Sequence, residues 1–160
     1  DSFVSRGLGD VYKRQVIYLW LNIGVLPFWL VLIFFPNSGV SKYMVRSIFP
    51  FIIFSFIYTY LLYYFFLKDF NFVNNFNLYI SLEQLSELFS ETGFLIMFWC
   101  HFLAINLFCG AWIVSDSLKF SISKFLVFFP LLITYFIGPI GLFIYWLIRI
   151  FFAKKLSLYD

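Results

Sequence analysis

Residues Phe94–Val114 read FLIMFWCHFLAINLFCGAWIV, without one Asp, Glu, Lys or Arg. That matches the roughly 20 apolar residues a helix needs to cross about 30 Å of hydrocarbon. Inside a bilayer every backbone N–H and C=O must pair within the protein, so such a run is read as a helix. Working outward, Val16–Phe35, Phe49–Leu67 and Phe125–Ile148 meet the same test. The expectation is an all-α fold: a four-helix transmembrane bundle.

Composition agrees. The 160 residues are 63% hydrophobic, 26% aromatic and only 12% charged, with a mean hydropathy of +0.94. Soluble domains are nearer half apolar and a quarter charged, so an ordinary water-soluble enzyme is excluded. Two cysteines and a net charge of +3 spread along the chain also exclude a disulfide scaffold and a nucleic-acid binder. The 26 phenylalanines have two readings. They suit lipid or a π-lined ligand site, but the codon bias of an AT-rich genome would produce the same excess, alanine being confined to Ala104, Ala111 and Ala153.

The stretch Ser5–Gln15 reads SRGLGDVYKRQ. It resembles the in-frame translation of a sequencing-library adaptor, and Asp1–Gln15 is set aside as non-native. Residues 16–155 remain as a single membrane domain with spans at about 16–35, 49–67, 94–114 and 125–148. The first run is read as a retained span, being too long for a signal peptide and without a small-residue cleavage site.

The connectors carry the punctuation. Pro36-Asn37-Ser38-Gly39 closes the first span, and Ser115-Asp116-Ser117 is expected to break the chain between the third and fourth. Pro130 and Gly138-Pro139-Ile140-Gly141 predict a kink near the middle of the fourth, because proline lacks a backbone donor and crowds the preceding turn. The connector Lys68–Gly93 begins as a polar loop (Asp69, Asn71, Asn74, Asn75, Asn77). Ser81 and Gln84 then form a capping box, with Leu82, Leu85, Leu88 and Phe89 on one stripe and Glu83, Glu87 and Glu91 on another. This predicts a short amphipathic interfacial helix between spans two and three. Its acidic face favours docking on the bundle over anionic lipid. Orientation is undecided. Lys68, Arg149, Lys154 and Lys155 fall on one side and Lys42, Arg46, Lys119 and Lys124 on the other, so the positive-inside rule has nothing to act on.

The possible chemistry is narrow. One histidine and two cysteines leave no ligand set for a metal centre, no span contains a lysine for a Schiff base, and no phosphate-binding glycine loop is present. No cofactor is called for. The third span holds the candidates. His101 lies about 12 Å along the helix from Gly93, near mid-membrane, where an ionisable group marks a functional site by default. Trp99, Asn106, Phe108, Trp112 and Asp116 follow it. Each also has a plain structural role: His101 and Asn106 can hydrogen-bond across helices, and Asp116 can serve a turn. Asp116 is about 22 Å along the axis from His101, so the two cannot touch. Cys100 and Cys109 are read as packing thiols. Arg149 is read as snorkelling to the interface or as an anchor for a polar ligand head.

The chain resembles the abscisic-acid-deficient-four family, whose plant members are small membrane proteins required for neoxanthin formation and which has bacterial relatives. Val25-Leu26-Pro27-Phe28-Trp29, Tyr58-Thr59-Tyr60-Leu61-Leu62-Tyr63, Leu85–Thr92, His101–Asp116 and Gly138-Pro139-Ile140-Gly141-Leu142 carry the resemblance, which covers nearly all of Val16–Phe152. It departs at Asn106, where the family pattern has an aspartate. An amide can hydrogen-bond but cannot carry a proton as a carboxylate does.

The resemblance implies a carotenoid or xanthophyll ligand and an isomerase-type reaction that opens an epoxide to an allene. That reaction needs an acid and a base. His101 is the first candidate for either role, with Asp116 second, and Asn106, Trp99, Trp112 and Phe108 would line the ligand. A non-catalytic pigment-binding or assembly protein is the alternative. The expected partners are the lipid bilayer, a carotenoid, and further copies of the chain or carotenoid-pathway enzymes, with no nucleic acid. The expected location is a bacterial inner membrane, crossed several times.

Overall fold

The computed structural model describes residues 2–67 and 81–154. Among these the chain is all-helical: α1 (Ser2–Phe34), α2 (Gly39–Arg46), α3 (Phe49–Leu62, run on by a π-helical turn Tyr63–Leu67), α4 (Leu82–Ser90), α5 (Thr92–Lys119), α6 (Lys124–Phe136) and α7 (Gly138–Ala153). The polar loop expected at Asp69–Asn77, and Lys155, lie outside the described residues. Two helices are long and apolar enough to cross a membrane, Val11–Phe34 within α1 and the whole of α5. A third crossing results if α2 and α3, which meet at 50°, form one bent span. Pro50 lies in the first turn of α3, where its missing N–H has no partner to lose.

The chain forms two compact units, Asp1–Ile23 with Ile53–Phe102 and Gly24–Ile52 with Leu103–Asp160. In the first unit, Ser81 caps α4 by accepting from the Gln84 N–H at 3.5 Å, the expected capping geometry. No residue of α4 is buried. The helix docks through Phe89, whose ring stands edge-on to Phe94 and Phe98 at 5.0 and 4.9 Å. Gly93 lets α5 pass close to α3, since a Cβ there would lie 2.6 Å from the Phe65 ring.

The second unit contains the main departure from the sequence reading. The segment expected to be a fourth span is two helices of 13 and 16 residues, each short of the roughly 20 needed to cross. They fold back as a hairpin. At the far end of α6, Asn106 Nδ2 donates to the Tyr135 carbonyl at 3.4 Å. At the end of α7, Arg149 bonds Asp116 and stands 4.9 Å over the Phe120 ring, just ahead of α6. Asn106 to Asp116 is about 15 Å along α5, and Gly138 to Arg149 about 16 Å along α7. Thus α6 runs back along α5 to the helix midpoint, and α7 returns beside it.

Local chemistry explains the turn. Pro139 cannot donate to the Tyr135 carbonyl four residues earlier, so α6 ends at Ile137, which leaves helical geometry at φ −141°, ψ 81°. Gly141 allows α7 to close on α6, because a Cβ there would strike the Thr134 backbone N, the Thr134 hydroxyl and the Pro130 carbonyl. By contrast, α6 runs straight through Pro130. The Thr134 hydroxyl donates to the Pro130 carbonyl at 2.7 Å, meeting a polar group in a wholly buried position.

A second correction concerns the end of α5. Ser115-Asp116-Ser117 does not break the chain; the helix continues to Lys119. It closes with Ile122 N–H donating to Ser117 C=O at 2.9 Å and Ser121 N–H to Leu118 C=O at 3.4 Å. This Schellman pairing places Ser121 in the left-handed region, at φ 52°.

Candidate functional site

In the second unit α5 and α7 bring three buried polar side chains together. Arg149 Nε donates to Asp116 Oδ2 at 2.7 Å, and Tyr145 Oη donates to the same oxygen at 2.7 Å. Arg149 is 1% exposed, Tyr145 0% and Asp116 9%. Tyr145 and Arg149 are four residues apart and so share one face of α7, while Trp112, one turn before Asp116, meets the Tyr145 ring edge-on at 5.8 Å. A charge-assisted pair in so dry a setting is strong only when hydrogen-bonded on both sides. The Arg149 charge therefore goes to Asp116, and the snorkelling reading is overturned.

The hairpin tip forms a second polar point. Asn106 is buried and gives its amide to the Tyr135 carbonyl, the group that Pro139 leaves without a helical donor. Gly138 makes room for it, since a Cβ there would collide with Asn106 Oδ1. Trp29 on α1 lies against Gly110, where a Cβ would be 2.7 Å from its ring, and edge-on to Tyr135 at 5.4 Å. Its indole N–H is buried with no hydrogen-bond partner.

His101 belongs to the first unit. It is exposed, with the Tyr58 ring 6.0 Å away and tilted, and among the described residues it makes no hydrogen bond. The role of a cross-helix hydrogen-bonding group therefore falls away. Trp99 donates its indole N–H to Asn22 Oδ1 at 3.1 Å and stacks on Phe102 at 5.2 Å. Asn22 Nδ2 in turn donates to the Tyr18 carbonyl at 2.7 Å. Cys100 is buried with its thiol 3.8 Å from the Phe54 carbonyl. Of the candidates, then, Asp116 and Trp112 lie in one cluster and Asn106 at the hairpin tip. Phe108 is 57% exposed, with the Phe51 ring 5.6 Å away. Among the described residues no group of His, Cys, Asp and Glu could hold a metal ion.

Tyr145 and the pairing role of Arg149 were missed in the sequence. The available signal was the four-residue spacing of a phenol and a guanidinium on one face of an apolar helix.

The stretches that meet in this unit are Pro27-Phe28-Trp29, Asn106–Asp116 and Gly138–Gly141. A family model described as ABA DEFICIENT 4-like matches residues 16–145, which includes all of them. The chain belongs to this family. Comparison with curated proteins and with solved structures gives no match. The ABA DEFICIENT 4-like match spans Trp29, His101, Asn106, Asp116 and Tyr145, while Arg149 lies just beyond it. Together with the apolar helices, membership makes the chain a membrane protein of a family linked to neoxanthin synthesis.

Proposed function

We propose that this ABA DEFICIENT 4-like protein binds and acts on a carotenoid or xanthophyll within a bacterial inner membrane, with His101 as the proton-transfer group. One observation carries the reading: His101 is an exposed imidazole on an apolar membrane helix, and no hydrogen bond engages it. A polar ionisable group at such a position is costly unless it has work to do. Opening an epoxide to an allene needs a proton delivered to oxygen and one removed from carbon, and an imidazole is able to do either. Phe108, Trp99 and Trp112 are the aromatic surfaces proposed for the polyene, and Asn106 would at most orient an oxygen.

A second reading rests on Asp116. Its carboxylate is already held by Arg149 and Tyr145, so the second acid–base group of the reaction is committed elsewhere. This favours a non-catalytic pigment-binding or assembly protein. Expression in carotenoid-producing hosts separates the two. A new xanthophyll made by wild type and lost in His101→Ala supports the first. Pigment that co-purifies equally with wild type and His101→Ala, without any new product, supports the second. No new pigment and no co-purification across several precursor hosts would sink both.

A further inference from the structure

Two clefts of the second unit adjoin at one lip. A polar cleft of about 600 Å³ lies where α2 meets the α5–α6 turn, lined by Asn37, Lys42, Ser121 and Ser123 among others. An apolar cleft of about 440 Å³ lies along α6 against the end of α1, lined by Ile33, Phe34, Phe128 and Phe129. Lys124 and Phe125 line both. A cationic, hydroxyl-rich head region thus continues into an aromatic trough, the shape of a site for one amphiphile.

Charge selects the head. Lys42 and Lys124 are exposed, and among the described residues neither pairs with a carboxylate. Among the described residues of this unit Asp116 is the sole acid, and Arg149 holds it. The Lys124 ammonium sits 5.5 Å over the Phe125 ring, at the junction of the clefts. The trough wall is exposed apolar surface: Phe125 is 75% and Phe129 66% exposed. Phe34 and Phe128, which also line the trough, meet edge-on at 6.0 Å.

We propose that this is a binding site for an anionic phospholipid, with its phosphate between Lys42 and Lys124 and an acyl chain along Phe34, Phe125, Phe128 and Phe129. Each lysine near a lipid surface contributes about 1 kcal/mol toward an anionic headgroup. Two of them give a preference of about thirtyfold over a zwitterionic lipid.

The test is native mass spectrometry of the full chain released from micelles holding equal amounts of phosphatidylglycerol and phosphatidylcholine. Wild type is expected to retain phosphatidylglycerol about thirtyfold more. Lys42→Gln with Lys124→Gln brings the two lipids to parity, whereas Lys42→Arg with Lys124→Arg keeps the preference. Phe125→Ala with Phe129→Ala lowers retention of phosphatidylglycerol. Equal retention by wild type, which needs no variant to fold, overturns the proposal. So does an unchanged preference in the glutamine pair. Displacement of the lipid by equimolar glycerol phosphate also overturns it, because the trough would then contribute nothing.

Discussion

His101 and Asp116 are the two groups on α5 that the sequence marks for acid–base chemistry, and the structure treats them in opposite ways. Asp116 is enclosed, with two donors on one carboxylate oxygen and its charge cancelled by Arg149. His101 is exposed, with the Tyr58 ring 6.0 Å away and no hydrogen bond among the described residues. The difference teaches which kind of work each position does. A buried polar group with every partner in place specifies architecture, because removing a partner leaves a desolvated charge. An ionisable group left without partners in an apolar setting adds nothing to the fold, which leaves it available for chemistry.

Breaking the enclosed side should have the largest effect. Arg149→Met strands the Asp116 anion and is expected to destabilise by about 3–5 kcal/mol, read as loss of folded protein in fluorescence-detected size exclusion. Asp116→Asn added to that change should recover most of the loss, since a neutral amide needs no counter-charge. If the double variant is no better than the single, the ion pair is not what Arg149 supplies.

Next in size is the hairpin closure. Gly141→Ala sets a methyl against the Thr134 backbone and the Pro130 carbonyl, and an overpacked site typically costs about 1–3 kcal/mol. Gly138→Ala meets only the Asn106 side chain, which can swing aside, so its thermal shift should be the smaller of the two. The reverse order would mean that the tip, not the arms, limits closure.

Asn106→Asp tests the bond at the hairpin tip. An ionised carboxylate cannot donate to the Tyr135 carbonyl, so a loss of about 1–3 kcal/mol is expected at neutral pH. The loss should shrink as the pH falls, because a protonated acid donates again. A pH-independent melting temperature would argue against the bond.

The smallest effect on stability belongs to His101. His101→Ala is expected to stay within about 0.5 kcal/mol of wild type, as exposed substitutions do, while the pigment profile changes. A large loss of stability would move His101 to the architectural side of the comparison.

Much of this was legible in the residues. The all-helical reading, the Ser81 cap of α4, the turn after Pro36 and the family followed from apolar run length, cap chemistry and motif. The hairpin did not. A run such as Phe125–Ile148 satisfies the length test for crossing whether or not it turns back, since lipid accepts either arrangement if the backbone is paired. What decides it is the contact of Asn106 with Tyr135 and of Arg149 with Asp116, both set by partners about thirty positions away. The end of α5 was misplaced for a related reason: serine and aspartate look like a turn, yet Asp116 is buried and held by Arg149 and Tyr145. The left-handed stop at Ser121 carried no glycine to announce it.

The hairpin also settles a matter of accounting across the bilayer. Because α7 returns to the end of α5, Lys154 emerges beside Lys119 and Lys124 and not opposite them. The four-against-four division of basic residues then dissolves: Lys42, Arg46, Lys119, Lys124 and Lys154 share one face, while Arg149 is neutralised inside. Such an asymmetry is what the positive-inside rule reads. It also imposes an order of assembly. A lone arginine in an apolar helix costs about 2.5–3.5 kcal/mol to insert, so α7 becomes acceptable to the membrane only once α5 is present with its aspartate.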